Sequence, residues 1–239
     1  MDVNRIIYTY KKPKFEIYKE PTNQEKWLMG SLKSIDGLGY IPTLYTNDIE
    51  FGNKFDIDVR YIDDDYDNSW DSFKLYVLEN EPNDDYFLSD NDVIYKNRIE
   101  FDSSDLFFDG IETLNWDWAY SKTIEYIKNN IDINLSYWLN SKRGVYNVGI
   151  LRIPNLELKN RYIDDWKYLY NVLNKHSHNL NPTFTTAAHT QYLLTLLSKD
   201  YSVKYFSNGV SFETGNTYYT HYCGYLKMKN MPMEVKTLL

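Results

Sequence analysis

The sequence predicts an α+β protein, with an antiparallel, β-rich N-terminal half packed against a helical C-terminal half closed by a β-hairpin or meander. Three observations predict it. Apolar and charged residues alternate along residues 55–61, and apolar residues again take every second place at Phe73, Leu75 and Val77. A period of two puts the apolar groups of a strand on one face. After Gly110 the apolar spacing changes to three and four, the period of a helix. Asn208-Gly209 lies between two alternating runs, a hairpin signal. The switch of period at 108–113 divides the chain into an acidic β-rich subdomain with one early helix, residues 1–110, and a helical subdomain with a C-terminal meander, residues 111–239. The short connection favours one compact unit.

The elements follow in order. Residues 3–10 and 14–18 are rich in β-branched and aromatic side chains and read as short strands broken by Pro13. Thr22 and Glu25 form a capping box. Trp27, Leu28, Leu32 and Ile35 then share one face of a helix over 23–35 that Gly37 ends. In the next strand Phe55, Ile57, Val59 and Tyr61 alternate with Asp56, Asp58 and Arg60. Residues 93–101 supply a further strand, and the Asn/Asp-rich stretches 63–69 and 80–92 read as turns. Tyr120, Ile124, Ile127, Ile131, Leu135, Trp138 and Leu139 mark a long amphipathic helix over 113–141. Residues 145–153 read as a buried strand. Asn155 caps a second helix with Leu158, Tyr162, Trp166, Leu169 and Leu173 on its stripe, and Pro182 precedes a third over 185–199. The meander runs through Gly215-Asn216 to about residue 228, and the last ten residues are expected to fray.

Composition places the chain among globular proteins. Its 239 residues, 43% hydrophobic and rich in Tyr, Phe and Trp, can build a core. The one cysteine, Cys223, has no internal partner, which favours a reducing compartment. The N-terminus shows no apolar h-region, and no apolar run approaches the length of a membrane span. A cytoplasmic location is expected. The wealth of Asn, Tyr, Asp, Ile and Lys fits an AT-rich genome: a low-GC bacterium, its phage, or a large DNA virus.

The net charge of −8 is unevenly spread. Positions 48–112 carry 20 acidic against 5 basic residues, and both flanks are mildly basic. Asp56, Asp58, Asp63, Asp64, Asp65, Asp67 and Asp71 are therefore the candidate partner-binding residues, on the wet face of a sheet that would meet a protein with a basic surface. Such a field speeds encounter and selects partners. Abundant Tyr and Trp suit interface hot spots. Diffuse basic charge and a pI near 5.1 argue against direct nucleic-acid binding.

Chemical motifs are sparse. Asp63, Asp65, Asp67, Ser69 and Asp71 have the spacing of a calcium loop, but Asn68 and Lys74 stand where such a loop needs Gly and Glu. His176 and His178 form a His-x-His pair able to take a metal, at a helix end where the macrodipole also explains them. His221 and Cys223 would share one strand face as a thiolate–imidazole pair. Glu157 and Lys159 follow an apolar strand as in a metal-dependent nuclease core. No phosphate-binding glycine loop, dinucleotide fingerprint or serine elbow is present, and no cofactor is expected. The functional expectation is a non-catalytic protein–protein interaction component. It would be a self-assembling connector or tail-assembly subunit of a phage or virus particle, or an inhibitor of a host protein. The alternative is a metal-dependent hydrolase or nuclease using His176 and His178.

Overall fold

The computed structural model describes residues 3–12, 21–63, 71–82, 85–102, 106–112, 117–135, 145–180, 182–208, 213–215, 217–222 and 233–238. Its strands are β1 (Arg5–Tyr10), β2 (Ile41–Thr46), β3 (Asp58–Tyr61), β4 (Tyr86–Ser89), β5 (Val93–Tyr95), β6 (Leu106–Glu112), β7 (Val145–Arg152), β8 (Val203–Asn208), β9 (Glu213–Gly215) and β10 (Tyr219–Tyr222). Its helices are α1 (Pro21–Ser34), α2 (Ile49–Gly52), α3 (Ser72–Asn80), α4 (Asp117–Asn130), α5 (Leu156–Asn174), α6 (Pro182–Ala187), α7 (Leu193–Leu197) and α8 (Met233–Leu238). A π-helical segment, Ala188–Tyr192, joins α6 to α7.

Seven strands form the central sheet in the order β3-β2-β1-β4-β7-β6-β8, and all run parallel except β7. A smaller antiparallel sheet has the order β5-β10-β9. Apolar clusters cover both faces of the large sheet. Ile6, Tyr8, Leu44, Phe87 and Ile150 pack on one side with Leu28 of α1. Ile7, Leu88, Phe108 and Val148 pack on the other with Phe73, Leu75, Trp166 and Leu193. This is a Rossmann-like α/β architecture. It corrects the expectation of an antiparallel β-rich half against a helical half. Strands buried on both faces lack the alternation that marks an antiparallel sheet with one wet side.

Several local expectations are corrected for identifiable reasons. Phe73, Leu75 and Val77 belong to α3, not to a strand. Ser72, Phe73, Lys74, Leu75, Val77 and Leu78 are all buried. A helix buried nearly all round leaves no polar stripe to reveal its period. The helix expected over 113–141 has left its helical path by residue 131. Gly209 of the expected Asn208-Gly209 turn lies outside the described residues; the flanking strands are in different sheets, β8 pairing with β6 and β9 with β10. Residues 233–238 are docked rather than frayed, because α8 buries Val235 completely beside Trp27 and Tyr222.

Local signals elsewhere hold. Asn155 caps α5, its Oδ1 accepting the Leu158 amide at 2.8 Å. β7 lies where the apolar run placed it, and Gly37 leaves α1 with φ at +77°. The large sheet takes strands from both halves of the sequence, with β6 in its interior. No described helix is long and apolar enough to cross a membrane.

The winding positions the site. The chain lays β2 and β3 to one side of β1, then places β4 on the other side. In open α/β sheets this reversal opens a crevice at the carboxyl ends of the strands, where ligands bind. Asp90 is the first residue beyond β4.

Candidate active site

Asp90, Asn91 and Asp92 connect β4 to β5, so the chain crosses from the large sheet to the small one at the crevice. His221 lies on β10, directly opposite Val93 of β5. The Tyr222 amide donates to the Asp92 carbonyl at 3.1 Å, which locks the connection to β10. The Asp90 amide donates to the Gly149 carbonyl of β7 at 2.7 Å.

These contacts bring two carboxylates and one imidazole together. His221 Nε2 lies 3.5 Å from Asp92 Oδ1 and 3.8 Å from Asp90 Oδ2. One ligand atom from each residue falls within 4.8 Å of the others, and this is the only such cluster among the described residues. The separations exceed hydrogen-bond length. They approach the ~3 Å between neighbouring ligands on a cation with bonds of about 2.1 Å. Two hard oxygens with one imidazole nitrogen suit a divalent ion such as Mn2+, which accepts both donor types. The donor set therefore fits a metal.

The surroundings set the charges. The other ring nitrogen, Nδ1, is 2.5 Å from Asp109 Oδ2 of β6. Burial alone would lower the His221 pKa, but the negative charges of Asp109 and Asp92 and the hydrogen bond to Asp109 outweigh it and raise it well above the ordinary value. Without a cation the ring thus carries the positive charge itself; a metal held at this point would take the place of the Nε2 proton.

Lys74 of α3 reaches Asp90 Oδ1 at 2.6 Å and donates to the Val148 carbonyl at 3.1 Å. Burial works against its charge, yet Asp90 and Asp71 more than compensate and the ammonium is retained. Asp71, buried behind it, is pushed up to about 6 by burial against the pull of Lys74, and also bonds the Thr190 side chain from the π-helical segment.

The expected site residues fall elsewhere. Asp56, Asp58 and Asp63 are exposed, and Asp58 pairs with Arg60 Nε at 3.0 Å. Asp71 is buried and cannot meet a partner at the surface. Asp64, Asp65 and Asp67 lie outside the described residues. His178 is exposed, its Nε2 2.9 Å from Asn179 Nδ2, and His176 is half-buried. Neither joins an acid in the described metal-type cluster. Cys223 also lies outside the described residues; among the described ones the His221 ring meets Asp90, Asp92 and Asp109. Lys159 is buried and donates to the Glu81 carbonyl at 3.3 Å, a structural role.

Asp90 and Asp92 escape a sequence reading that treats 80–92 as a turn, and Asp109 escapes one that takes 108–113 for a subdomain boundary. A signal was present. Asp90 and Asp92 stand one residue apart between the apolar runs 86–88 and 93–95, and Asp109 interrupts the apolar run of β6. Acids set inside core-forming runs are carried to the edge of the core, not out to solvent.

No protein-family profile matches the sequence, and no curated protein matches it by sequence. Among solved structures, the fold is shared with glycosyltransferases. The galactosyltransferase LgtC, solved with donor and acceptor sugar analogues, matches with a TM-score of 0.51 at 13% identity, over 98% of this chain and 100% of that one. The glycosyltransferase GlyE of Streptococcus pneumoniae TIGR4 gives a TM-score of 0.45 at 14% identity over 87% of this chain, which spans about half of GlyE, 46%. Mouse xyloside xylosyltransferase 1 gives 0.43 at 11% identity, over 80% of this chain and 83% of that one. At such identities the likeness is one of fold.

The functional expectation is corrected accordingly. The acidic block does not form only an outward interaction surface, because its members Asp90, Asp92 and Asp109 turn inward around an imidazole. The fold is shared with LgtC over 98% of this chain. The readings as a phage or virion subunit, as a host-protein inhibitor, and as a hydrolase built on His176 and His178 are set aside.

Proposed function

We propose that the protein is a divalent-metal-dependent glycosyltransferase that draws its sugar from a nucleoside diphosphate donor. The observation that carries this reading is the cluster of Asp90, Asp92 and His221 at the crevice of a sheet shared with LgtC. A diphosphate brings negative charge that this acidic crevice can accept only through a cation. When bound, the metal would supply that positive charge to the diphosphate oxygens.

The chain's own residues set the rest. Asp90 and Asp92 hold their carboxylates toward one point, and Lys74 orients Asp90 through its 2.6 Å contact. The balance of the transfer is simple. The bond between the sugar's anomeric carbon and the diphosphate oxygen breaks, and the diphosphate leaves with the electron pair. An acceptor hydroxyl bonds to that carbon and loses its proton.

The test is incubation of the purified protein with Mn2+ and a panel of UDP-, GDP- and dTDP-sugars, with release of nucleoside diphosphate as the readout. The expected result is release from one donor class, abolished by EDTA and reduced at least 100-fold by Asp92→Asn. Failure of every donor to turn over, with no binding of UDP, GDP or dTDP in the presence of Mn2+, would overturn the reading.

A further inference from the structure

The metal-facing nitrogen of His221 is selected by residues behind the ring. Asp109 Oδ2 lies 2.5 Å from Nδ1, and both side chains are almost wholly buried, at 2% and 1% exposure. An ionised carboxylate accepts and does not donate, so Nδ1 carries the proton in this contact. In a neutral imidazole the lone pair then sits on Nε2, the nitrogen that faces Asp90 and Asp92. The Tyr219 hydroxyl also donates to the Asp109 carbonyl at 3.1 Å, so β10 grips the same residue of β6 twice.

The ring has no room to move toward β7. A Cβ built on Gly149 would stand 2.2 Å from His221 Cε1, 2.6 Å from Nδ1 and 3.0 Å from Nε2. A bulge brings the two strands into this relation. Pairing steps from Phe108 opposite Leu151 to Gly110 opposite Asn147, so Val148, Gly149 and Ile150 face the single residue Asp109. Bulges beside functional sites re-aim side chains in this way.

We propose that Asp109 and Gly149 are positioning residues of the metal centre: Asp109 fixes the imidazole so that Nε2 is the ligand, and Gly149 keeps clear the volume the ring occupies. This rests on the reading of Asp90, Asp92 and His221 as a cation site. Partners of this kind fix the ring's tautomer and raise its basicity as a ligand.

The test measures Mn2+ affinity directly, by electron paramagnetic resonance of the free ion. It compares the wild type with His221→Gln, Asp109→Asn and Gly149→Ala, and circular dichroism checks each fold. Asp109→Asn is expected to weaken binding about 10–100-fold. Gly149→Ala is expected to lose as much affinity as His221→Gln. Nitrogen-15 NMR of histidine-labelled wild type loaded with Zn2+ needs no variant, and should show Nδ1 protonated and Nε2 bound to metal. A wild type that binds Mn2+, with Asp109→Asn and Gly149→Ala both within twofold of it, overturns the positioning role alone. So does a loaded wild type with Nε2 protonated. A wild type with no Mn2+ affinity overturns the cation site itself.

Discussion

At the scale of single residues, the site depends on one buried cation among acids. Lys74 is enclosed by Asp71, Asp90 and the Val148 carbonyl. Removing one partner of a buried ionic group strands the others. Lys74→Met should therefore destabilise the fold by about 3 kcal/mol, measured by urea unfolding, and should lower donor turnover as well. Lys74→Arg should recover most of the stability, because the positive charge persists. Little of this arrangement was legible beforehand. His221 stood out as a candidate, but its partner lies 112 residues away on another strand. No sequence spacing encodes that pairing, since topology creates it. Lys74 entered the sequence reading only as the residue that breaks a calcium-loop pattern, because Phe73, Leu75 and Val77 around it were taken for a strand.

At the scale of elements, the π-helical segment Ala188–Tyr192 carries a histidine unlike His221. His189 is buried against Trp166 and Tyr170, and its Nδ1 has no hydrogen-bond partner among the described residues. Burial pushes its pKa down to about 3. The folded state therefore binds the neutral ring, while the unfolded chain takes up a proton below about pH 6.5. The stability tied to His189 is complete above that pH and lost as the pH falls toward 3, by about 1.4 kcal/mol per pH unit. His189→Phe should flatten that part of the acid limb relative to wild type, as read by denaturant unfolding from pH 7 to 4. The C-terminal helix makes a second case. Val235 closes a small cluster with Trp27, Ile94 and Tyr222 behind the strand that carries His221. Val235→Ala removes two buried methyl groups and should cost about 2 kcal/mol. Calorimetry should show the melting temperature fall by roughly 5 °C. The elements read correctly from sequence, α1, α5 and β7, have local signatures: a helical apolar stripe, an Asn cap and a continuous apolar run; α1 starts at Pro21, one residue ahead of the Thr22 expected to cap it.

At the scale of the molecule, the sheet joins strands distant in sequence, and such pairings leave no local pattern. The one antiparallel strand of the large sheet, β7, was visible as a strand, while its place between β4 and β6 was not. The acidic block was visible as composition. The fold divides it between exposed residues such as Asp56 and Asp63 and the inward group around His221. If that inward group binds metal and nucleotide together, the ligands stabilise the whole fold by mass action. Mn2+ with the cognate nucleoside diphosphate at about 100 times its dissociation constant should add about 2.7 kcal/mol. The expected readout is a melting temperature raised by roughly 5–10 °C, reversed by EDTA and absent in Asp92→Asn. The contact of Gly149 with the imidazole also has a bearing on descent. A lineage that acquires a side chain at position 149 must move or replace the ring at position 221, so the two sites, 72 positions apart, should vary together.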